Sequence, residues 1–163
     1  MAHHLSDLML MRLAMEEGAR ALESGDIPVG AIAVHRPTGA IIGRGHNQRE
    51  RDADPVAHAE VLALQAAART LGRWRLDDVC LVCTLEPCPM CAGAMLQAKL
   101  NRLVYGALDP KAGAAGSVVD LLRDPRLPHR VDVFAGVLAD ETAAQLHAFF
   151  AHLREGRAHD VHG

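Results

Sequence analysis

His58-Ala59-Glu60 and Pro87-Cys88-Pro89-Met90-Cys91 supply three metal-ligating side chains and one unligated carboxylate. A structural zinc site closes all four tetrahedral positions with protein. A catalytic one uses three and leaves the fourth to water, which the metal acidifies to a pKa of roughly 7. His58, Cys88 and Cys91 make three, and Glu60 is placed to carry protons for that water. The expectation is a hydrolytic enzyme with one Zn2+ per subunit.

Plainer readings attach to each residue alone. A histidine near a helix start is most often solvated or capping. A lone CxxC in a reducing compartment can be a redox pair, although redox motifs need no HxE partner. Cys80 and Cys83 form a second CxxC and raise the alternative of a four-cysteine zinc knot. In the strand-like run Val79 to Thr84, however, residues three apart face opposite sides and cannot grip one ion. They are read instead as small buried hydrophobes.

The elements that position the site follow from the pattern around it. The run Val79 to Thr84 meets Pro87, and Pro89 suits the first position of a helix extending to Ala98. Cys88 and Cys91 then share one face at the helix start, where the dipole favours thiolates. His58 and Glu60, two apart, would diverge within a helix. They can converge only in a loop-to-helix turn, for which Asp54-Pro55 provides the boundary. That helix is expected to run from near His58 to Gly72.

Elsewhere, a first helix is expected over Ser6 to Glu23, ending near Gly25. Strands Val29 to His35 and Ala40 to Arg44 read as a hairpin through Arg36-Pro37-Thr38-Gly39. A strand over Arg102 to Gly106, a Gly/Ala-rich loop from Asp109 to Gly116, a short helix around Val119 to Arg123 and a strand over Val131 to Phe134 follow. Leu146, Phe149, Phe150 and Leu153 mark the apolar stripe of a C-terminal helix capped by Asp140. Alternating strands and helices make the class α/β, a sheet with helices on both faces.

With 163 residues, one domain spanning 1–163 is expected. Hydrophobic residues are 50% of the chain but aromatics only 3%, so the core must be aliphatic. Four cysteines do not make a disulfide framework and suit a reducing cytoplasm. Charged residues interrupt the early run Leu8-Met9-Leu10-Met11, and no apolar span is long enough for a membrane. A net charge of −3, from 17 basic and 20 acidic residues, does not by itself announce a nucleic-acid binder.

Almost end to end, the chain resembles the bacterial tRNA adenosine deaminases, which make inosine at wobble position 34 of an arginine tRNA. The resemblance runs through Asp26-Ile27-Pro28-Val29-Gly30-Ala31, Asn47, Asp54-Pro55, His58-Ala59-Glu60 and Trp74-Arg75-Leu76. It continues through Thr84 to Met95, Gly106-Ala107, the Asp109-to-Ser117 loop, His129-Arg130-Val131, Gly136 to Ala139 and Phe149-Phe150. The zinc signature is shared with cytidine and guanine deaminases; the Asp109 loop and the Phe pair resemble the tRNA branch.

This resemblance implies a three-layer α/β/α fold with a mixed five-stranded sheet, cytidine-deaminase-like, and a cytoplasmic homodimer acting on a tRNA anticodon stem-loop. It implies zinc on His58, Cys88 and Cys91, attack of zinc-activated water on adenine C6, and Glu60 as proton shuttle. It also implies that Val29, Asn47 and the backbone of Ala59 hold the flipped nucleoside. Asp109 and Lys111 would meet neighbouring nucleotides, and Phe149, Phe150 and Arg154 the RNA beside the pocket. Read without the resemblance, Asn47 stabilises its loop, Asp109 forms a turn, and of the adjacent phenylalanines either both are core or one packs in the core while the other is free to stack or pack elsewhere.

Departures from the family pattern are Val56, where a capping threonine is common, Pro128 before His129, Thr142 in place of a cysteine, and a C-terminal helix poor in basic residues. The alternatives are a free-base or nucleoside deaminase acting on guanine or cytidine, and a catalytically silent RNA-binding partner subunit, against which the intact Glu60 argues.

Overall fold

The Ser6 hydroxyl accepts a hydrogen bond from the Met9 N–H at 3.2 Å and starts helix α1 (Asp7–Ala19). This computed structural model describes residues 4–160, with side chains through 157. α1 tightens into a 3-10 turn at Arg20–Ser24 and stops at Gly25 in the left-handed region. The expected hairpin follows as β1 (Gly30–His35) and β2 (Ala40–His46), antiparallel with a bulge between Ala33 and Val34. Next come the single turn α2 (Arg49–Asp52), α3 (Ala59–Leu71), β3 (Val79–Leu85), α4 (Pro89–Gln97) and β4 (Arg102–Ala107). β5 (Asp132–Phe134) and α5 (Ala139–Asp160) complete the described chain.

The five strands form one mixed sheet in the order β2-β1-β3-β4-β5. β1 is antiparallel to β2 and β3, whereas β3, β4 and β5 are parallel. Strand alternation divides the core between the two sheet faces. On one face Ala31, Ala33, Leu81, Cys83, Leu103 and Tyr105 pack with Ala63, Leu64, Ala67 and Met95 from α3 and α4. On the other Ile32, Val34, Cys80, Val82 and Val104 pack against Leu10, Met11 and Ala14 of α1. α5 joins this second face, where the Gln145 side-chain amide donates to the Met15 carbonyl at 3.0 Å. The three-layer α/β/α expectation is met. Cys80 and Cys83 fall into the two different clusters, as their spacing requires. Burial pushes the Cys80 thiol up to about 11 and the Cys83 thiol well upward.

Three local expectations are corrected. Val119 to Arg123 is not a helix. Its backbone donors and acceptors go to the preceding loop: Leu121 N–H to Ala114 O at 3.0 Å, and Gly116 N–H to Val119 O at 3.0 Å. Leu122 is buried by this fold-back. Asp140 does not cap α5 but lies in its first turn. The Thr142 N–H instead bonds the carbonyl of Leu138, which takes a left-handed φ of 51°. Nor is the α5 stripe uniformly core. Leu146 packs inward, while Phe150 and Leu153 are each 40% exposed.

Candidate active site and metal centre

The N-termini of α3 and α4 converge at the end of β3. His58 is the N-cap of α3, with extended φ −78° and ψ 150°, so it and Glu60 reach one site from a loop-to-helix turn. Cys88 is the N-cap of α4 and Pro89 the first helical residue, which places Cys91 on the same face. α3 can lie this close to the sheet because β2 carries Gly43 and Gly45. A Cβ on Gly45 would lie 2.8 Å from Ala63 N and closer still to the Ala59 carbonyl.

His58 Nδ1 lies 3.6 Å from Cys88 Sγ and 3.5 Å from Cys91 Sγ. Tetrahedral zinc, with Zn–S of about 2.3 Å and Zn–N of about 2.0 Å, needs N···S separations of about 3.6 Å. The donor set therefore fits zinc without rearrangement, and its three ligand atoms lie within 4.8 Å of one another. Hydrogen bonding within the cysteine pair, then with His58, pushes Cys88 down to about 4, and Cys91 is pushed upward by Cys88 and by burial. The Cys88 hydrogen bond raises His58.

Glu60 is not in this ligand set. Its carboxyl is 4% exposed, and Oε2 lies 3.4 Å from Cys91 Sγ. Desolvation raises its pKa despite the hydrogen bond from its own N–H, the direction needed by a group that must both take and give a proton.

These groups open on a cavity of about 220 Å³. Val29, Asn47, Ala59 and Asp109 form its wall with His58, Glu60 and Cys88. Asn47 is also tied into its loop: its amide donates to Ile27 O at 3.3 Å and its carbonyl accepts from Arg49 N–H at 3.2 Å. Asp109 Oδ1 accepts from the N–H groups of Lys111 and Ala112 at 3.0 and 3.2 Å, an Asx turn. Phe149 and Phe150, edge to face at 5.4 Å, line an adjoining hollow of about 210 Å³ that shares Ile27, Asn47 and Arg49 with the first. Lys111 and Arg154 are exposed and line neither. A larger groove of about 580 Å³ between α3 and α4, beside Trp74, holds none of the metal-ligating residues.

Sequence reasoning passed over two residues. Arg49 lines both hollows, and its only prior signal was proximity to Asn47. Glu86 is 1% exposed, and a carboxylate inside the apolar approach to a CxxC was the signal available. Burial pushes its carboxyl up, but the Ser117 hydroxyl and the N–H groups of Asp109, Ser117 and Ala115 outweigh this and hold it below the usual range.

Residues 5–107 match the family described as the cytidine and deoxycytidylate deaminase zinc-binding region. The tRNA-specific adenosine deaminase of Bacillus subtilis (strain 168) is 44% identical over 149 residues, 91% of either chain. That of Haemophilus influenzae is likewise 44% identical, over 91% of this chain and 86% of its own. A solved structure from studies of A-to-I editing by tRNA:A34 deaminases at the wobble position superposes with a TM-score of 0.80 at 40% identity, covering 85% of this chain and 99% of that one. The guanine deaminase of Bacillus subtilis gives 0.61 at 30% identity, over 93% and 95%. With the fold, the ligand triad and these relatives in agreement, the chain belongs to the zinc-dependent cytidine and deoxycytidylate deaminase family.

Proposed function

We propose that this protein hydrolyses adenosine to inosine at wobble position 34 of an arginine-type tRNA, releasing ammonia. The observation that carries the chemistry is the His58–Cys88–Cys91 triad at zinc spacing with the buried, unligated Glu60 carboxylate beside it. The tRNA-specific relatives support the choice of base, being more similar in sequence than the guanine deaminase.

Zinc on the triad supplies Lewis acidity that brings the pKa of a water to roughly 7. Glu60 Oε2 takes the first proton of the attacking water and gives it to adenine N1 as the new C6–O bond forms. It then moves the remaining hydroxyl proton to the amino nitrogen, so that the C6–N bond breaks and ammonia leaves. The raised pKa of Glu60 suits both transfers.

The pocket is small beside the roughly 300–1,000 Å³ of ordinary ligand sites and fits one extruded base rather than a base pair. In this reading Val29 packs on the ring, while Asn47 and the Ala59 backbone hold the nucleoside. Asp109 and Lys111 meet the flanking nucleotides. Phe149 and Phe150 take a neighbouring base in the adjoining hollow, and Arg154 reaches a phosphate.

The reading extends to a single deaminase domain over 1–163, working as a cytoplasmic homodimer on an anticodon stem-loop. The dimer is supported by the uncovered apolar groove between α3 and α4, where Trp74 is 64% exposed, and light scattering on the eluting protein tests it. Among the described residues no helix is long and apolar enough to cross a membrane. A substrate panel of A34 stem-loop, the matching DNA, free guanine and free cytidine tests the reading. Turnover of guanine or cytidine with no inosine in the stem-loop would replace it with a free-base or nucleoside deaminase.

A further inference from the structure

Glu86 takes no part in the ligand set or in the proton path of Glu60, yet its carboxylate is buried between the end of β3 and the Pro87-Cys88 turn. It is surrounded by donors only. Oε1 accepts from the Asp109 N–H at 3.1 Å and from the Ser117 hydroxyl. Oε2 accepts from the N–H groups of Ala115 and Ser117, both at 3.1 Å.

All four donors belong to one loop, Asp109 to Ser117. The same loop bonds the metal turn again, through Ala114 N–H to Pro87 O at 2.8 Å. It wraps the carboxylate so closely that any Cβ at Gly113 would strike it. At its start Asp109 and Ala112 reach the wall of the pocket that holds His58, Glu60 and Cys88.

We propose that Glu86 is a positioning residue that ties the Asp109–Ser117 loop to the zinc-binding turn and so sets the substrate-facing wall of the pocket. Its effect falls on substrate binding and not on the chemical step. The substrate named in the test rests on the proposed tRNA function.

The donor pattern makes Glu86→Gln informative. A carboxamide is the same size but must turn its NH2 toward one pair of donors. The Ser117 hydroxyl can rotate to accept, whereas a backbone N–H cannot. The amide therefore faces the Oε1 side, and the Asp109 N–H loses its partner. Asp109 and Ala112 are the loop residues in the pocket wall, so the anchor lost is at the substrate-facing end of the loop.

The test measures zinc per subunit, kcat and KM on an A34 stem-loop, and amide hydrogen exchange of the loop, in wild type, Glu86→Gln and Glu86→Asp. For Glu86→Gln we expect unchanged zinc, a KM raised about tenfold with kcat within about threefold, and exchange at Asp109 faster by about tenfold or more, one unmade buried hydrogen bond. Glu86→Asp keeps the acceptor charge and recovers part of both effects. A fall in kcat with KM unmoved, loss of zinc in step with activity, or unchanged exchange at Asp109 overturns the proposal. If Glu86→Gln does not fold, Ser117→Ala removes a single donor and must raise KM by a smaller factor at constant kcat; an unchanged KM overturns the proposal. If wild type leaves the stem-loop unedited, the tRNA reading fails, while Asp109 exchange still decides the coupling.

Discussion

Gly45 lies on β2, yet it governs where the catalytic helix begins. Its backbone is not in the left-handed region, so alanine meets no conformational penalty there and the effect of Gly45→Ala is purely one of contact. The added Cβ would sit 2.8 Å from Ala63 N and 3.1 Å from Leu62 Cβ, with the Ala59 carbonyl nearer still. Since non-bonded atoms settle at about 3.5–4.0 Å, the first turn of α3 must withdraw by on the order of 1 Å. His58 caps that turn and Glu60 lies within it, so ligand and proton carrier move together. A misplacement of about 1 Å costs about 100-fold in rate, or about 2.7 kcal/mol of transition-state stabilisation. Overpacking of this kind also costs about 1–3 kcal/mol of stability. Gly43→Ala is the matched control. Its Cβ would meet Ala63 O at 2.5 Å and Ala67 N at 2.8 Å, one turn farther from the site. Both variants should lose comparable thermal stability, but only Gly45→Ala should lose about 100-fold in kcat on an A34 stem-loop. Equal activity losses in the two variants, or a wild-type kcat in a destabilised Gly45→Ala, would refute the reasoning.

Other groups give independent expectations. Cys88→Ala should lose zinc, read as metal per subunit. In zinc-stripped wild type at pH 7, alkylation followed by peptide mapping should modify Cys88, held down at about 4, and spare Cys80 and Cys83, which burial keeps protonated. Burial pushes the Asp26 carboxyl up, but the Ser24 hydroxyl at 2.6 Å and the N–H groups of Glu50 and Arg51 at 2.7 and 3.2 Å outweigh it and hold it below the usual range. A depressed folded pKa gives stability that is complete above the unfolded value of about 3.9 and is lost as pH falls through the folded value. Asp26→Asn should therefore be less stable than wild type by about 1–3 kcal/mol at pH 7 in urea unfolding, with the two converging as pH drops below about 4.

What the sequence revealed and what it hid divide along physical lines. The hairpin, α3, β3 and α4 were legible because a period of two or of 3.6, a proline at a helix start and a glycine at a helix end are local signals. The convergence of His58 and Glu60 also followed locally, from the impossibility of pairing them inside a helix. The Gly/Ala-rich loop from Asp109 to Gly116 was legible, but the segment Val119 to Arg123 was not, because its conformation is set from outside. The N–H groups of Val119 and Leu121 bond the carbonyls of Gly113 and Ala114, and the loop that carries those carbonyls is itself held by Glu86, far away in sequence. The α5 stripe misled for a related reason. Its spacing is that of a core face, but α5 passes the edge of the packed interior, and Phe150 and Leu153 end beside Asn47 and Arg49 in an open hollow. Contributions of Asn47, Asp109 and the Phe pair to binding came from resemblance, since their types and spacing suit turns and packing equally well.

Inosine formation on an anticodon stem-loop carrying A34, followed for zinc-loaded wild type and for Glu60→Gln at equal zinc content, tests the central claim most directly. The account predicts conversion by wild type and a rate lower by about 10²–10⁴-fold in Glu60→Gln, because the proton carrier is gone while the metal triad stays whole. Wild type that leaves A34 unchanged, or a Glu60→Gln variant that edits at the wild-type rate, would contradict it.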